Sequence, residues 1–403
     1  MKRKCWFTLS VLVAALAAMG AGAARAEEGT RGGAVELLTT VPIPSTPAQP
    51  NHLVVFDISF VDPGTRLYYL ADRSDKAVDV VDAKRNLFVR QIRANFKGFT
   101  GTNDTSGPNG VVVSGHFLFV TDANSRIVSI DLRNDMVVSD VSTGGAPGLR
   151  ADELAFDPED GLLLPVNNAD SPPFATLIKV DQQSGKLTVG KRITFTDATN
   201  GAEQPVWDAG TGRFYLSIPE LNGNVSDGAV ARINPNGTLE TFFPVKNCQP
   251  AGLSLGPHQD LLLGCSVVFD TAGNPWTAAG ATTAAPSQMI MDAKTGKIDS
   301  VVKGVGGSDE VWFNEGDGRY YTASRNNPGA PVLGVIDAED QRLVQVVPTF
   351  NTPASSPPPR GTAHSVAVDP HNNHALMPLP ANNVFPNCLD GCIAVFGTPR
   401  DDD

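Results

Sequence analysis

The sequence predicts an all-β protein built from one unit that recurs along most of the chain. The unit is a polar residue, a short apolar run, a turn and a second apolar run, and seven copies begin 43 to 58 residues apart. The apolar runs are rich in β-branched and aromatic residues and end at Asp-Pro, Asp-Gly or Gly-rich turns, as antiparallel hairpins do. Beyond the first 26 residues, no stretch sustains helical spacing over three turns. The copies begin at Asp57, Asn109, Asp152, Glu203, Ala251, Asp309 and His364.

The length of the unit predicts a seven-bladed β-propeller of four-stranded antiparallel blades. Propeller blades recur at roughly 40 to 50 residues, with additional residues placed in loops. Six copies are followed by a second pair of apolar runs, whereas the seventh ends after a single run, CIAVFGT. The run AVELLTTVPIP at residues 34–44 resembles the missing outer strand. We therefore expect the N-terminal strand to complete the seventh blade and close the ring, which removes unpaired sheet edges.

The first 26 residues predict a secretory signal peptide. Lys2, Arg3 and Lys4 precede an apolar stretch, and Ala24 and Ala26 form a small-residue cleavage pattern. Residues 27–403 would then form a single propeller domain in the periplasm or outside the cell, with no membrane span. Removing the four basic residues of this segment moves the formal charge from −12 to −16. This balance argues against nucleic-acid binding, which needs clustered Lys and Arg.

Four cysteines remain after cleavage, and an even number in an exported protein favours disulfides. Three pairings are possible. We favour Cys248 with Cys265 and Cys388 with Cys392, because the two members of each pair belong to one repeat.

Several repeats carry a more specific resemblance. The segments LFVTD (118–122), VDPGTRLYYLAD (61–72) and HSVAVDPHNNHALMP (364–378) resemble the repeats of the YVTN β-propeller family, which includes YncE-like and lactonase-like proteins. The resemblance covers about residues 34–397 and implies the fold. It also implies a general position for a divalent ion, at the channel mouth, held by acidic and amide side chains.

Polar residues at the start of each innermost strand predict a binding site at one mouth of the central channel. One column of the aligned repeats contains Asp57, Asn109, Asp152, Glu203 and Asp309 with His364, and the adjacent column contains Glu153, Gln204 and Glu310. Strand alternation sends one column inward and the other into the packing between blades. Oxygen ligands of this kind suit a hard cation such as calcium. The candidate metal ligands are Asp57, Asn109, Asp152, Glu203 and Asp309, and solvation of a water-filled channel is the alternative interpretation.

Three further residues are candidates for function. His364 could act as an acid or base or ligate a metal, although a structural hydrogen bond would also explain it. Arg325 follows the second strand of its repeat, and Trp276 lies in a long loop, so both could form a ligand-facing rim. No dinucleotide, phosphate-loop or haem motif is present in the sequence.

Besides a purely structural surface propeller that binds no ligand, two functions remain open at this point. The first is an exported binding module, expected to be a monomer, whose acidic mouth and long loops hold a small molecule, a protein partner or a divalent cation. The second is a metal-dependent lactonase or esterase in which the ion activates water.

Overall fold

The computed structural model describes residues 33–44, 52–276, 284–350 and 363–399. The predicted signal peptide, residues 1–26, lies outside these residues. The regular structure of the described residues is almost entirely β, apart from single 3-10 turns at Asn103–Thr105 and Pro257–Gln259. No helix in these parts of the chain is long and apolar enough to cross a membrane.

The first described strand is β1 (Glu36–Pro42), which belongs to the last sheet. The next twelve strands form three four-stranded antiparallel sheets, in each of which consecutive strands are neighbours. The first contains β2 (Phe56–Asp62), β3 (Leu67–Asp72), β4 (Ala77–Asp82) and β5 (Leu87–Ile92). The second contains β6 (Val111–Ser114), β7 (Phe117–Asp122), β8 (Arg126–Asp131) and β9 (Met136–Ser142). The third contains β10 (Leu154–Asp157), β11 (Leu162–Asn167), β12 (Phe174–Val180) and β13 (Leu187–Thr194).

The following eight described strands form two antiparallel groups of four. One group contains β14 (Pro205–Asp208), β15 (Arg213–Ile218), β16 (Asp227–Asn234) and β17 (Thr238–Lys246). The other contains β18 (Cys248–Leu255), β19 (Asp260–Val268), β20 (Ser287–Asp292) and β21 (Ile298–Lys303). A single parallel pair, Asp227 with Cys248, joins β16 to β18 and merges the groups into one eight-stranded sheet.

Two more four-stranded sheets complete the described chain. One contains β22 (Val311–Asn314), β23 (Arg319–Ser324), β24 (Val332–Asp337) and β25 (Arg342–Pro348). The other contains β26 (Ala367–Asp369), β27 (His374–Leu379) and β28 (Cys392–Gly397), together with β1. Strand β1 pairs antiparallel with β28, from Glu36 opposite Gly397 to Pro42 opposite Cys392.

The repeated Asp or Asn at the end of the innermost strands has a structural role. Its side chain accepts a hydrogen bond from a backbone N–H two residues later, which forms an Asx turn and starts the hairpin. Asp157 accepts from the N–H of Glu159 at 2.9 Å, and Asp208 accepts from that of Gly210 at 2.8 Å. The same turn follows Asp62, Asn314 and Asp369.

The hydrophobic core is divided into clusters between neighbouring sheets. The second strand of each four-stranded group is almost fully buried, whereas outer strands such as β9 are largely exposed. One cluster joins Val41 and Ile393 of the last sheet to Tyr68 and Leu70 of the first. The first and last described sheets are therefore in contact, and the fold is all-β and β-propeller-like.

Both predicted disulfides are confirmed. Cys248 is bonded to Cys265 with a Cα to Cα distance of 5.2 Å, and Cys388 is bonded to Cys392 with a Cα to Cα distance of 4.9 Å. The first bond links β18 to β19, and the second closes the loop that precedes β28.

Candidate ligand-binding site

The starts of the innermost strands surround a polar cavity of about 720 Å³, which we call the charged cavity. Backbone hydrogen bonds hold several neighbouring strand starts together. Gly110 N–H donates to Asp152 O at 3.3 Å, Gln204 N–H to Ala251 O at 3.3 Å and Glu310 N–H to His364 O at 3.0 Å. Seven predicted site residues line the cavity, namely Asp57, Asp152, Glu153, Glu203, Asp309, Arg325 and His364.

Arg73 and Asp57 form the most buried ion pair of the charged cavity. The Arg73 side chain is only 2% exposed, and its Nη2 donates to Asp57 Oδ2. The same guanidinium donates to Asn109 Oδ1 at 2.6 and 3.0 Å and to Asn103 Oδ1 at 3.2 Å. Asn109 Nδ2 in turn donates to Ala151 O at 2.6 Å. Asn109 therefore orients Arg73 and does not line the cavity.

Arg150 bridges two carboxylates of the charged cavity. Its Nη1 lies 3.3 Å from Asp57 Oδ2, and its Nη2 lies 2.7 Å from Asp152 Oδ2. Burial alone would raise the pKa of Asp57, but Arg73 and Arg150 outweigh that effect and lower it. Asp57 is therefore ionised, and its Oδ2 is bound by two arginines.

Asp309, Arg325 and His364 form a second, more accessible group. Arg325 Nη2 lies 2.7 Å from Asp309 Oδ2, and the two side chains are 35% and 25% exposed. The His364 ring stacks on Phe56, with ring centroids 5.3 Å apart. Its Nε2 lies 3.2 Å from Phe56 O, which can only accept, so Nε2 carries the proton. Burial and the Arg325 charge lower the pKa of His364 to about 4, and the ring is neutral at neutral pH.

Three carboxyl groups of the charged cavity have raised pKa values. Burial raises the pKa of Asp152 to about 7, even though Arg150 opposes this shift. Burial, with the charges of Asp152 and Asp309, raises the pKa of Glu203 to about 8. Burial and the neighbouring Glu310 raise the pKa of Glu153 well above its usual range. No hydrogen bond in the described residues reaches the carboxyl oxygens of Glu153 or Glu203.

Gln204 and Glu310, from the adjacent column, lie deeper than the charged cavity. Glu310 Oε2 accepts from Ser365 Oγ at 2.5 Å and from Val366 N–H at 3.3 Å, and Oε1 accepts from Gln204 Nε2 at 3.4 Å. Gln204 Oε1 accepts from Leu253 N–H at 2.6 Å. Together with Glu153, they face a second cavity at the other end of the inner strands.

Trp276 lies away from the charged cavity. Its side chain is partly buried against the cluster between β15–β16 and β18–β20, and its backbone N–H donates to Val268 O at 3.0 Å. Its indole therefore packs against the protein core, while other loop residues, including Asn168, Pro219 and Asn326, line the cavity.

The sequence analysis did not identify Arg73 or Arg150. Arg73 comes directly after β3, in the position that Arg325 occupies after β23. A comparison of the residues that follow the second strand of each repeat would therefore have identified Arg73. Arg150 lies in the loop before β10, where no repeat alignment places an equivalent residue. The predicted acidic mouth is thus a mixed cavity in which arginines bind one carboxylate oxygen of each of Asp57, Asp152 and Asp309.

The donor set does not fit a divalent cation. Guanidinium groups are bound to Asp57, Asp152 and Asp309, so a cation there would compete with a fixed positive charge. Within the described residues, no group of three His, Cys, Asp or Glu side chains is placed to hold a metal ion.

Comparison with known proteins identifies the fold only. No protein-family model matches the chain. No curated protein matches it either. Among solved structures, the chain is similar to Kuenenia stuttgartiensis hydrazine synthase, with a TM-score of 0.62 and 13% sequence identity, over 88% of this chain and 98% of that one. At this identity the likeness supports a common fold and carries no statement about activity.

Proposed function

We propose that this chain is an exported, seven-bladed β-propeller of the YVTN type, closed by β1, that binds a small organic cation in the charged cavity. The seven groups of four strands support the blade count, and the pairing of β1 with β28 supports closure. The two disulfides favour an oxidising compartment, such as the periplasm or the extracellular space.

The two unpartnered carboxyl groups, Glu153 and Glu203, carry the ligand assignment. Both line the charged cavity, and neither receives a hydrogen bond from the described residues. Arg73 and Arg150, by contrast, already bind Asp57 and Asp152 and have few donors left for an anionic ligand. Arg325 binds Asp309 through Nη2 and keeps other donors, but Glu153 and Glu203 add acceptors without a partner among the described residues, which a ligand with N–H or O–H groups would complement.

A positive charge improves such a ligand further. An ammonium group beside Glu203 would favour the ionised carboxylate and lower its raised pKa. Binding near neutral pH should therefore displace protons from Glu203 and Asp152 into solution. A neutral polyol could supply the same hydrogen bonds, but it would bind more weakly because it leaves the carboxyl groups protonated.

The test is a calorimetric titration of the purified protein with three ligands of one carbon skeleton: 1,3-diaminopropane, propane-1,3-diol and malonate. We expect the diamine to bind most tightly and malonate least. Titration in two buffers of different ionisation enthalpy should show proton release with the diamine. Tightest binding of malonate would show instead that the arginines face the ligand, and would overturn the proposal.

Matched variants test whether the ligand binds beside Glu203. Glu203→Gln should weaken diamine binding about tenfold, which corresponds to the loss of one charge-assisted hydrogen bond. Glu315→Gln is the control, because Glu315 is exposed in the turn after β22 and lines neither cavity. Equal affinities of the two variants would contradict binding at Glu203.

The hydrolase alternative makes a different prediction. It requires a divalent ion among carboxylates that the arginines now bind, so activity on lactones or esters would have to disappear with a chelator. Such chelator-sensitive activity would favour the hydrolase over the binding module.

A further inference from the structure

A second cavity of about 600 Å³ lies at the opposite ends of the innermost strands, and we call it the aromatic cavity. Its wall contains five half-buried aromatic side chains, from β2, β10, β14 and β22: Phe60, Phe156, Trp207, Trp312 and Phe313. Phe60 and Trp312 contact each other edge to face, with ring centroids 5.6 Å apart. Aliphatic side chains of β6 and β18 complete the wall, so most of the surface offered to a ligand is apolar.

The titratable side chains of the described residues that line the aromatic cavity are all carboxylic acids. Asp62, Glu153 and Glu310 are among these residues, and no Lys, Arg or His is. Asp62 lies at the turn after β2, and the two glutamates lie at the inner end of the cavity, next to Gln204. The charged cavity, by comparison, contains three arginines. The aromatic cavity therefore has acidic groups without a basic partner in its wall.

Glu153 is the group that points most directly to a ligand. It is 7% exposed, it lines both cavities, and no described residue donates a hydrogen bond to its carboxyl group. Its carboxyl oxygens are not sealed from solvent and open into the cavities, where water or a ligand can supply their hydrogen bonds. Glu310 is 1% exposed and partly satisfied by Ser365 and Gln204.

We propose that the aromatic cavity is a second ligand site and that it binds a bulky organic cation, such as a trimethylammonium compound. The faces of Trp and Phe rings attract a cation electrostatically, and the attraction is strongest when the cation is weakly hydrated. A trimethylammonium group has an apolar surface that the aromatic wall can bury, and its charge would favour the ionised forms of Glu153 and Glu310, whose pKa values burial raises. Glu153 lines both cavities, so this inference shares that carboxyl group with the proposed function, whereas Glu310 and the aromatic wall belong to the aromatic cavity alone.

The test compares choline with 3,3-dimethylbutan-1-ol, which has the same shape but a carbon in place of the charged nitrogen. Binding to the purified protein is followed by tryptophan fluorescence, to which Trp207 and Trp312 contribute. We expect choline to bind at least about tenfold more tightly than its neutral isostere, as a desolvated cation–π contact implies. Equal affinity of the two compounds would overturn the proposal.

Variants separate the two cavities. Trp312→Leu should weaken choline binding about tenfold, and Trp312→Phe, which keeps an aromatic face, should retain most of it. Trp276→Leu is the matched control, because Trp276 lies in neither cavity. Glu203→Gln, which alters the charged cavity alone, should leave choline affinity within twofold of the unmodified protein.

The wild-type comparison keeps the proposal falsifiable even if Trp312→Leu fails to fold. Loss of choline binding in Glu203→Gln, with normal binding in Trp312→Leu, would show that choline binds in the charged cavity and would overturn this inference. The diamine titration would in that case still support the proposed function. The failure of one proposal can therefore be distinguished from the failure of the other.

Discussion

The two cavities are lined by opposite ends of the innermost strands, yet their buried carboxyl groups are stabilised in different ways. In the charged cavity, Arg73 and Arg150 neutralise Asp57 and Asp152 within the protein itself. In the aromatic cavity, none of the described lining residues is basic, and burial raises the pKa of Glu310 and of Glu153, which lines both cavities. The charged cavity is therefore stabilised by ion pairs within the protein. The aromatic cavity has carboxyl groups that a positively charged ligand could bind.

This contrast predicts the largest effect for Arg73→Met. The substitution leaves Asp57 with Arg150 alone and removes three hydrogen bonds to Asn109 and Asn103. Breaking a buried ion pair on one side typically costs about 3–5 kcal/mol, and we expect a loss of this size in the free energy of unfolding from denaturant titration.

Arg325→Met is the matched control for this prediction. Its ion pair with Asp309 is about one-third exposed, and such pairs contribute roughly 0–1 kcal/mol. Similar losses for the two variants would mean that burial does not distinguish these arginines, and the contrast between the cavities would weaken.

The pH dependence of stability provides the next largest effect. The pKa of Glu203 is raised from 4.5 to about 8 and that of Asp152 from 3.8 to about 7. As the pH rises, the unfolded chain loses these protons at a lower pH than the folded chain does. Both groups should therefore lower the free energy of unfolding as the pH rises from about 4 to 8. We expect the Tm to fall over this interval, and Glu203→Gln to raise the Tm at pH 8 more than at pH 5.

His364 acts in the opposite direction. Its pKa is lowered from 6.5 to about 4, so the unfolded chain binds a proton that the folded chain resists, and stability should fall as pH drops from 6.5 toward 4. A His364→Gln variant that keeps the fold should therefore lose less stability on acidification to pH 4 than the unmodified protein. An unchanged acid limb of the Tm profile would contradict the assigned neutral state of this ring.

Glu310→Gln should have a smaller effect at the aromatic end. Burial raises the pKa of the Glu310 carboxyl and so favours its neutral form, and a neutral amide of the same shape preserves the acceptor for Ser365 and Val366. We expect the free energy of unfolding at pH 7 to change by about 1 kcal/mol or less. A loss of several kcal/mol, measured by denaturant titration, would show that Glu310 is ionised and specifically solvated.

Trp276→Leu should have the smallest effect on binding. Trp276 packs against the core beside Val268 and lines neither cavity. The substitution should reduce stability slightly and leave the affinities for 1,3-diaminopropane and choline within twofold. A tenfold loss of affinity for either ligand would show that Trp276 belongs to the ligand-facing rim, as its loop position predicted.

The repeat pattern allowed the fold to be predicted further than the site. Apolar alternation and Asx turns are local properties, so Asp62, Asp157 and Asp208 could be placed at strand ends from their neighbours alone. Pairing of carboxylates with Arg73 and Arg150 depends on contacts between different repeats. An alignment of the first strands alone does not include either arginine.

The aromatic cavity has a sequence signal at the ends of three innermost strands. Phe156, Trp207 and Phe313 each stand directly before the Asp or Asn that ends an innermost strand. Three aromatic residues at one repeat position predict convergence on one face of a ring. Their relation to Glu153 and Glu310 required the structure, because those side chains come from the other ends of the same strands.

The most direct test of the contrast is a crystal structure of the protein soaked with both 1,3-diaminopropane and choline. We predict the diamine beside Glu203 in the charged cavity, with the ion pairs of Arg73 and Arg150 intact, and choline against Trp207 and Trp312 in the aromatic cavity. Choline beside Glu203, or a metal ion among Asp57, Asp152 and Asp309 with the arginines displaced, would contradict the account.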